Sequence, residues 1–207
     1  MVEWQLARRG VADPRVLAAM RAVPREAFVP AWLADAAYDD RPLPIDAGQT
    51  ISQPYIVALM CEALRLEGGE TVLEIGTGSG YAAAVLARIA AQVHSIERLP
   101  ALAASARQRL HELVVANVQV HEGDGTLGWP AAAPYEAIVV TAGGPRVPPA
   151  LLEQLAIGGR LVIPVGPEPD LQDLLRVTRT ERDRHAREVL CGVRFVPLVG
   201  AQGWDRG

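Results

Sequence analysis

The sequence predicts an α/β fold: a doubly wound, mostly parallel sheet of seven strands, preceded by an N-terminal helical extension and finished by an antiparallel hairpin. Three observations predict it. Residues 71–81, T-V-L-E-I-G-T-G-S-G-Y, run from a short apolar segment through three alternating glycines into an alanine-rich helical segment. That is the strand, turn and helix that open a nucleotide-binding βαβ unit. Short apolar runs at 72–75, 93–96, 118–121, 137–141 and 160–165 then alternate with helical segments at 81–91, 100–113 and 149–156. Alternating βα units require parallel strands, with ligands at their C-terminal ends. Beyond Asp170 the alternation stops. Residues 171–180 and 188–199 are long strand candidates joined by the charged stretch 181–187, and consecutive strands with a short polar connection pair as a hairpin.

The elements follow in order. Asp13 as N-cap and Pro14 at the first helical position open a helix over 14–22, with Val16, Leu17 and Met20 on one face. Pro24 and Pro30 break the chain before a short helix at 31–37, and 39–44 is a polar, Pro-punctuated loop. Residues 45–55 are polar and turn-rich and lead into an amphipathic helix over 54–66. Read alone, Ser52 is the N-cap of that helix. Gly158 and Gly159 read as the C-cap of the helix at 149–156.

The 207 residues suit one domain, divided into helices and a covering loop (1–53), a βα core (54–169), the hairpin (170–199) and a tail (200–207). A net charge of −4 with dispersed basic residues provides no electrostatic footprint for nucleic acid. No apolar run approaches the length of a membrane span, and the first residues lack the apolar core of a signal peptide. Cys61 and Cys191 stand far apart in apolar settings, as expected of free thiols in a reducing cytoplasm. All 20 basic residues are arginine, which excludes lysine Schiff-base chemistry and the P-loop lysine. The four histidines (His94, His111, His121, His185) show no ligand spacing, so no metal is expected and each reads as a surface or strand-edge residue.

Spacing within the glycine turn indicates the ligand. Gly76, Gly78 and Gly80 put the third glycine one residue earlier than the dinucleotide fingerprint does, with Tyr81 in the dinucleotide position. Glu74 stands beside the turn, where an acid suits an ammonium group. Glu97 ends the next apolar run, 23 positions later, where such folds place an acceptor for both ribose hydroxyls. Asp124, between Gly123 and Gly125, ends the third run, where an acid accepts from the adenine amine. Read alone, Asp124 is a turn residue. Three acids at three successive strand ends point together to S-adenosyl-L-methionine.

These residues resemble the protein-L-isoaspartate (D-aspartate) O-methyltransferase family. The resemblance is carried by V-P-R-E-A-F-V-P (23–30), G-Q-T-I-S-Q-P (48–54), V-L-E-I-G-T-G-S-G-Y (72–81), Gly123-Asp124-Gly125, Val140-Thr141-Ala142 and V-R-F-V-P-L (193–198). The glycine motif is common to many methyltransferases, whereas the second and last of these stretches are narrower. The sequence itself, with no signal peptide and no long exposed apolar stripe, reads as a cytoplasmic monomer. The resemblance implies an enzyme that methylates the α-carboxylate of L-isoaspartyl residues in damaged proteins and peptides. Its product would be S-adenosyl-L-homocysteine. It implies Ser52 as the active-site residue, with Thr50, Ile51, Thr141, Val193 and Phe195 around the substrate. Gly76, Thr77, Gly78 and Gly80 would hold the methionine part of the cofactor, beside the acid that the pattern already places there at Glu74. Glu97 would take the ribose, and Asp124 and Gly125 the adenine. The 193–198 strand would line the peptide groove. Two departures stand out: Asp46 replaces a usual glycine before the Ser52 loop, and Gly143-Gly144 would loosen a loop near the substrate. Three rival readings remain. One is a relative that installs an aspartimide in a ribosomally made peptide; the others are a nicotinamide oxidoreductase and a non-catalytic adenosine-binding module.

Overall fold

The computed structural model describes residues 1–168 and 170–205. Its frame is one seven-stranded sheet: β3 (Thr71–Ile75), β4 (Gln92–Glu97), β5 (Val118–Glu122), β6 (Tyr135–Val140), β7 (Leu155–Glu168), β8 (Leu171–Glu181) and β9 (Arg184–Val193). The strands lie in the order β5-β4-β3-β6-β7-β8-β9. The first five are parallel to their neighbours, and β8 and β9 pair antiparallel. The order reverses between β3 and β6, which opens a crevice at the C-terminal ends of β3, β4 and β6.

Helices cover both faces. α1 (Pro14–Ala22), α2 (Pro54–Leu64) and α3 (Tyr81–Ala87) pack with Val72, Val93, Ala137 and Val162 into one core. α5 (Pro149–Glu153) packs with Leu73, Ile75, Ile138 and Val140 into the other. Alternate residues of β3 therefore enter opposite cores, as strand geometry requires. α4 (Pro100–Glu112) covers β4 and β5. A small antiparallel pair, β1 (Leu43–Pro44) and β2 (Thr50–Ile51), presents the loop before α2.

Asp13 caps α1 as expected, its carboxylate accepting from Arg15 N at 2.8 Å. Several boundaries differ from expectation. Gly158 and Gly159 are not a helix cap: α5 ends at Glu153, and both glycines lie inside β7. Gly158 has φ +82°, close to a register shift against β6, so the glycines serve a bulge that twists the strand. The hairpin turn is far tighter than the charged stretch suggested, because charged residues alternate along an exposed edge strand that begins at Arg184. β9 ends at Val193, so most of the 193–198 segment runs on as extended chain without being a strand. The 31–37 segment forms a 3-10 turn at Ala31–Ala36. His94 is not a surface residue: it is 8% exposed and its Nδ1 lies 3.0 Å from His121 Nε2. His121 in turn stacks on Trp129.

Candidate active site

The crevice is built from backbone upward. Gly76, Gly78 and Gly80 all take positive φ, of +94°, +53° and +90°. At Gly76 the requirement is also steric, because an added Cβ would fall 2.5 Å from Thr141 Oγ1. The Gly76 amide donates to Ile96 O at 2.8 Å, tying the turn to β4. Glu97, buried at the end of β4, accepts from Gly78 N and Leu99 N, both at 2.9 Å, one on each carboxylate oxygen. Each oxygen keeps a lone-pair direction, so the carboxylate can still accept from two hydroxyls.

Two cavities and a groove meet here. One cavity is lined by Thr50, Ile51, Ser52, Gly76, Thr77, Gly78 and Thr141. A second runs past Gly76, Gly78, Ile96, Glu97, Leu99 and Gly125 to Leu198. The groove, about 590 Å³, is lined by Ser52, Thr141, Gln172, Val193, Phe195 and their neighbours. Thr50 and Thr141 line all three, so the ends of β2 and β6 stand at their junction. Thr141 Oγ1 is held 2.7 Å from Gly76 O and 3.0 Å from Ile75 O. Phe195 is fixed by Gln172, whose Oε1 accepts from Phe195 N at 2.9 Å.

Ser52 does not cap α2. The N-cap position belongs to Gln53, and no side chain bonds the first turn there. The Ser52 hydroxyl makes no hydrogen bond among the described residues, and Ser52 lines both the first cavity and the groove. The loop before it holds its shape despite Asp46, through a bond from Ile45 N to Gln49 O at 2.9 Å.

The three acids do not fence one space. Glu74 is completely buried beneath the glycine turn and lines none of these cavities. It accepts from Ser95 Oγ at 2.5 Å, Ser95 meets Thr77 Oγ1 at 2.5 Å, and Glu74 Oε1 has no partner. Burial pushes its pKa up to about 8, with Glu97 adding repulsion and the Ser95 bond opposing it. The same burial holds the thiol of Cys61 at about 12. Asp124 lines a separate recess with Arg98, Gly200 and Trp204. Its Oδ1 accepts from Thr126 N at 2.9 Å and Thr126 Oγ1 at 2.6 Å, and its Oδ2 from Ala201 N at 2.7 Å.

Two features went unread in the sequence. The tail docks as a strap: beyond the bond to Asp124, Trp204 Nε1 donates to Gly143 O at 2.9 Å, and Gln202 Oε1 accepts from Ala150 N at 3.0 Å. This corrects the loosening expected at Gly143-Gly144. Gly143 N donates to Val196 O, Gly143 O accepts from Leu198 N, and Gly144 N donates to Pro164 O, so the pair is pinned. Glycine is needed because a Cβ at Gly143 would collide with Gln172. The second feature is Arg25, wholly buried, whose Nη2 donates to Ser52 O at 2.8 Å. It lies in the 23–30 stretch, but nothing in the pattern showed where its side chain turns.

The second cavity fits an adenosine. Glu97 presents two acceptors to a ribose, Ile96, Leu99 and Leu198 offer apolar walls, and Gly125 lies so close to Ile75 that any Cβ would clash. A parallel sheet with an antiparallel finish, a glycine turn on its first core strand and a carboxylate ending the second define a Rossmann-like methyltransferase. The sequence profile of protein-L-isoaspartate(D-aspartate) O-methyltransferase matches residues 1–203, and the chain belongs to that family. It is 66% identical over 204 residues to protein-L-isoaspartate O-methyltransferase 2 of Pelobacter propionicus, covering 99% of this chain and 91% of the relative. It is 62% identical to the Rhodopseudomonas palustris enzyme, covering 100% and 94%. Among solved structures, a protein-L-isoaspartate O-methyltransferase superposes with a TM-score of 0.87 at 31% identity over 98% of this chain, which spans 66% of that one. A Plasmodium falciparum member in complex with S-adenosyl-L-homocysteine gives 0.79 at 25% identity, covering 93% and 94%.

Proposed function

We propose that the protein esterifies the α-carboxylate of L-isoaspartyl residues in damaged proteins and peptides, the first step of their return to aspartate. S-adenosyl-L-methionine supplies the methyl group on a sulfonium centre. The observation that carries the reading is Ser52 itself, whose hydroxyl has no hydrogen bond among the described residues and which lines both the glycine-walled cavity and the groove.

A carboxylate is ionised at neutral pH, so it needs no general base to become a nucleophile. The cavity lined by Thr50, Ser52 and Thr141 has no histidine or carboxylate in its lining among the described residues. Ser52 acts as a donor that orients the acceptor, and Thr50, Ile51, Thr141, Val193 and Phe195 shape the space around it. Gly76, Thr77, Gly78 and Gly80 hold the methionine end, Glu97 the ribose, and Gly125 the adenine plane. Asp124 stays in its own recess, tied to Thr126 and Ala201, so the adenine end falls to Gly125 and the apolar walls, and Glu74 acts from below through the Ser95 and Thr77 hydroxyls. Transfer joins an anion to a cation and cancels both charges, so a site that excludes water favours it, and alignment does the rest. In the ester, methanol is the leaving group when the neighbouring backbone amide closes a succinimide, whose hydrolysis yields aspartate in part.

We read the protein as a single-domain monomer of the cytoplasm. Two free thiols, Cys61 buried and Cys191 half-buried, suit a reducing compartment. No helix among the described residues is long and apolar enough to cross a membrane. The similar proteins carry the isoaspartate name, which favours repair over aspartimide installation. The test is incubation with labelled S-adenosyl-L-methionine and matched isoaspartyl and aspartyl peptides. Label is expected on the isoaspartyl peptide alone, and equal labelling of both overturns the reading.

A further inference from the structure

We infer that Arg25 selects for a negatively charged acceptor: it is a positioning residue whose buried guanidinium braces the Ser52 loop from behind and favours a carboxylate over a neutral group in the groove. The inference deepens the isoaspartyl reading and rests on it. Arg25 is 0% exposed. Its Nε donates to Ala37 O at 2.7 Å and its Nη2 to Ser52 O at 2.8 Å, so one side chain fixes the backbone on both sides of the covering loop. Its guanidinium lies 4.7 Å from the ring centre of Tyr81, the first residue of α3 after the glycine turn. Nη1 is buried and has no partner.

Bracing a carbonyl needs only a neutral donor. A buried cation is costly unless an anion answers it. The acid nearest in effect is Asp40, but Asp40 is already shared by Arg9, by Gln53 Nε2 at 2.7 Å and by Tyr55 N at 3.0 Å. Arg25 therefore carries positive charge that this network answers only in part, and it does so one hydrogen bond away from Ser52, which lines the groove. An incoming carboxylate completes the balance. A carboxamide of the same shape does not.

The test uses the full chain saturated with S-adenosyl-L-homocysteine and two peptides, one isoaspartyl and one with the α-carboxylate replaced by carboxamide, with both affinities measured by calorimetry. Arg25→Gln keeps an amide donor for Ser52 O and removes the charge. It is expected to weaken the isoaspartyl peptide about ten-fold or more while the carboxamide changes less than about two-fold, as loss of one partly desolvated charge pair implies. S-adenosyl-L-homocysteine affinity should stay unchanged, and Arg25→Lys should keep most of the carboxylate preference. Equal losses for both peptides, or an intact preference in Arg25→Gln, overturn the inference and leave Arg25 a brace. A wild-type protein with no preference for the carboxylate overturns the isoaspartyl reading itself. If Arg25→Gln does not fold, Arg25→Lys decides: preference retained supports the role, and preference lost with homocysteine binding intact refutes it.

Discussion

Glu74 makes the stability of this protein depend on pH in a direction opposite to most carboxylates. Its pKa is raised from 4.5 to about 8, first by burial and then by Glu97, with the Ser95 hydrogen bond too weak to offset them. The folded state therefore binds this proton more tightly than the unfolded chain. The contribution is fully present below pH 4.5 and is lost as pH rises through 8. At about 1.4 kcal/mol per pH unit, the loss is about 3 kcal/mol at pH 7 and about 5 kcal/mol above pH 8. That is a large part of a typical folding margin of about 5–15 kcal/mol. Glu74→Gln replaces the carboxyl by a neutral group of the same shape. Urea unfolding of both proteins from pH 4 to pH 9 should show near-equal stability at the acid end, with the variant gaining about 5 kcal/mol over the wild type by the alkaline end. A difference that stays flat across that range would mean that Glu74 ionises alike in both states, and the reasoning from its burial would be refuted.

Three further outcomes are expected. Ser52→Ala should lower methyl transfer while calorimetry finds S-adenosyl-L-homocysteine affinity unchanged, and a parallel collapse of both would make the serine structural. Glu97→Ala should weaken that affinity by about 1.5–3 kcal/mol, the range for hydrogen bonds to a charged group; unaltered binding would remove Glu97 from the site. Gly200→Ala forces a Cβ into the Asp124 carboxylate. It should cost about 1–3 kcal/mol of stability in urea, as overpacking does, and an unchanged midpoint would show the strap to be dispensable.

The fold was legible because its signals are local. An apolar run ending in alternating glycines can only be a strand that turns into a helix, and Asp13-Pro14 marks a helix start by side-chain chemistry alone. Glu97 drew notice from the pattern, since it ends an apolar run, whereas Ser52 read alone as a helix cap and was singled out only through the resemblance. What the pattern missed depends on contacts between distant segments. Glu74 looked like a ligand because it adjoins the turn, but strand alternation sends it into the core beside Ser95. The glycines at 158 and 159 imitate a helix cap because a bulge asks for the same conformational freedom. Arg25 and the tail had no periodicity to betray them, as their partners lie 27 and 77 residues away.

The docking of the tail bears on how the molecule is made. The groove wall at Val193 and Phe195, the Trp204 anchor on Gly143 and the Ala201 latch on Asp124 are all made after the parallel strands β3 to β7. Ser52 and the Arg25 brace are made before them. A nascent chain that has built its parallel sheet still has an open-sided cleft, and the cleft is walled only when the 193–204 segment reaches back across the sheet. Activity should then switch on only once that segment has been made and has docked.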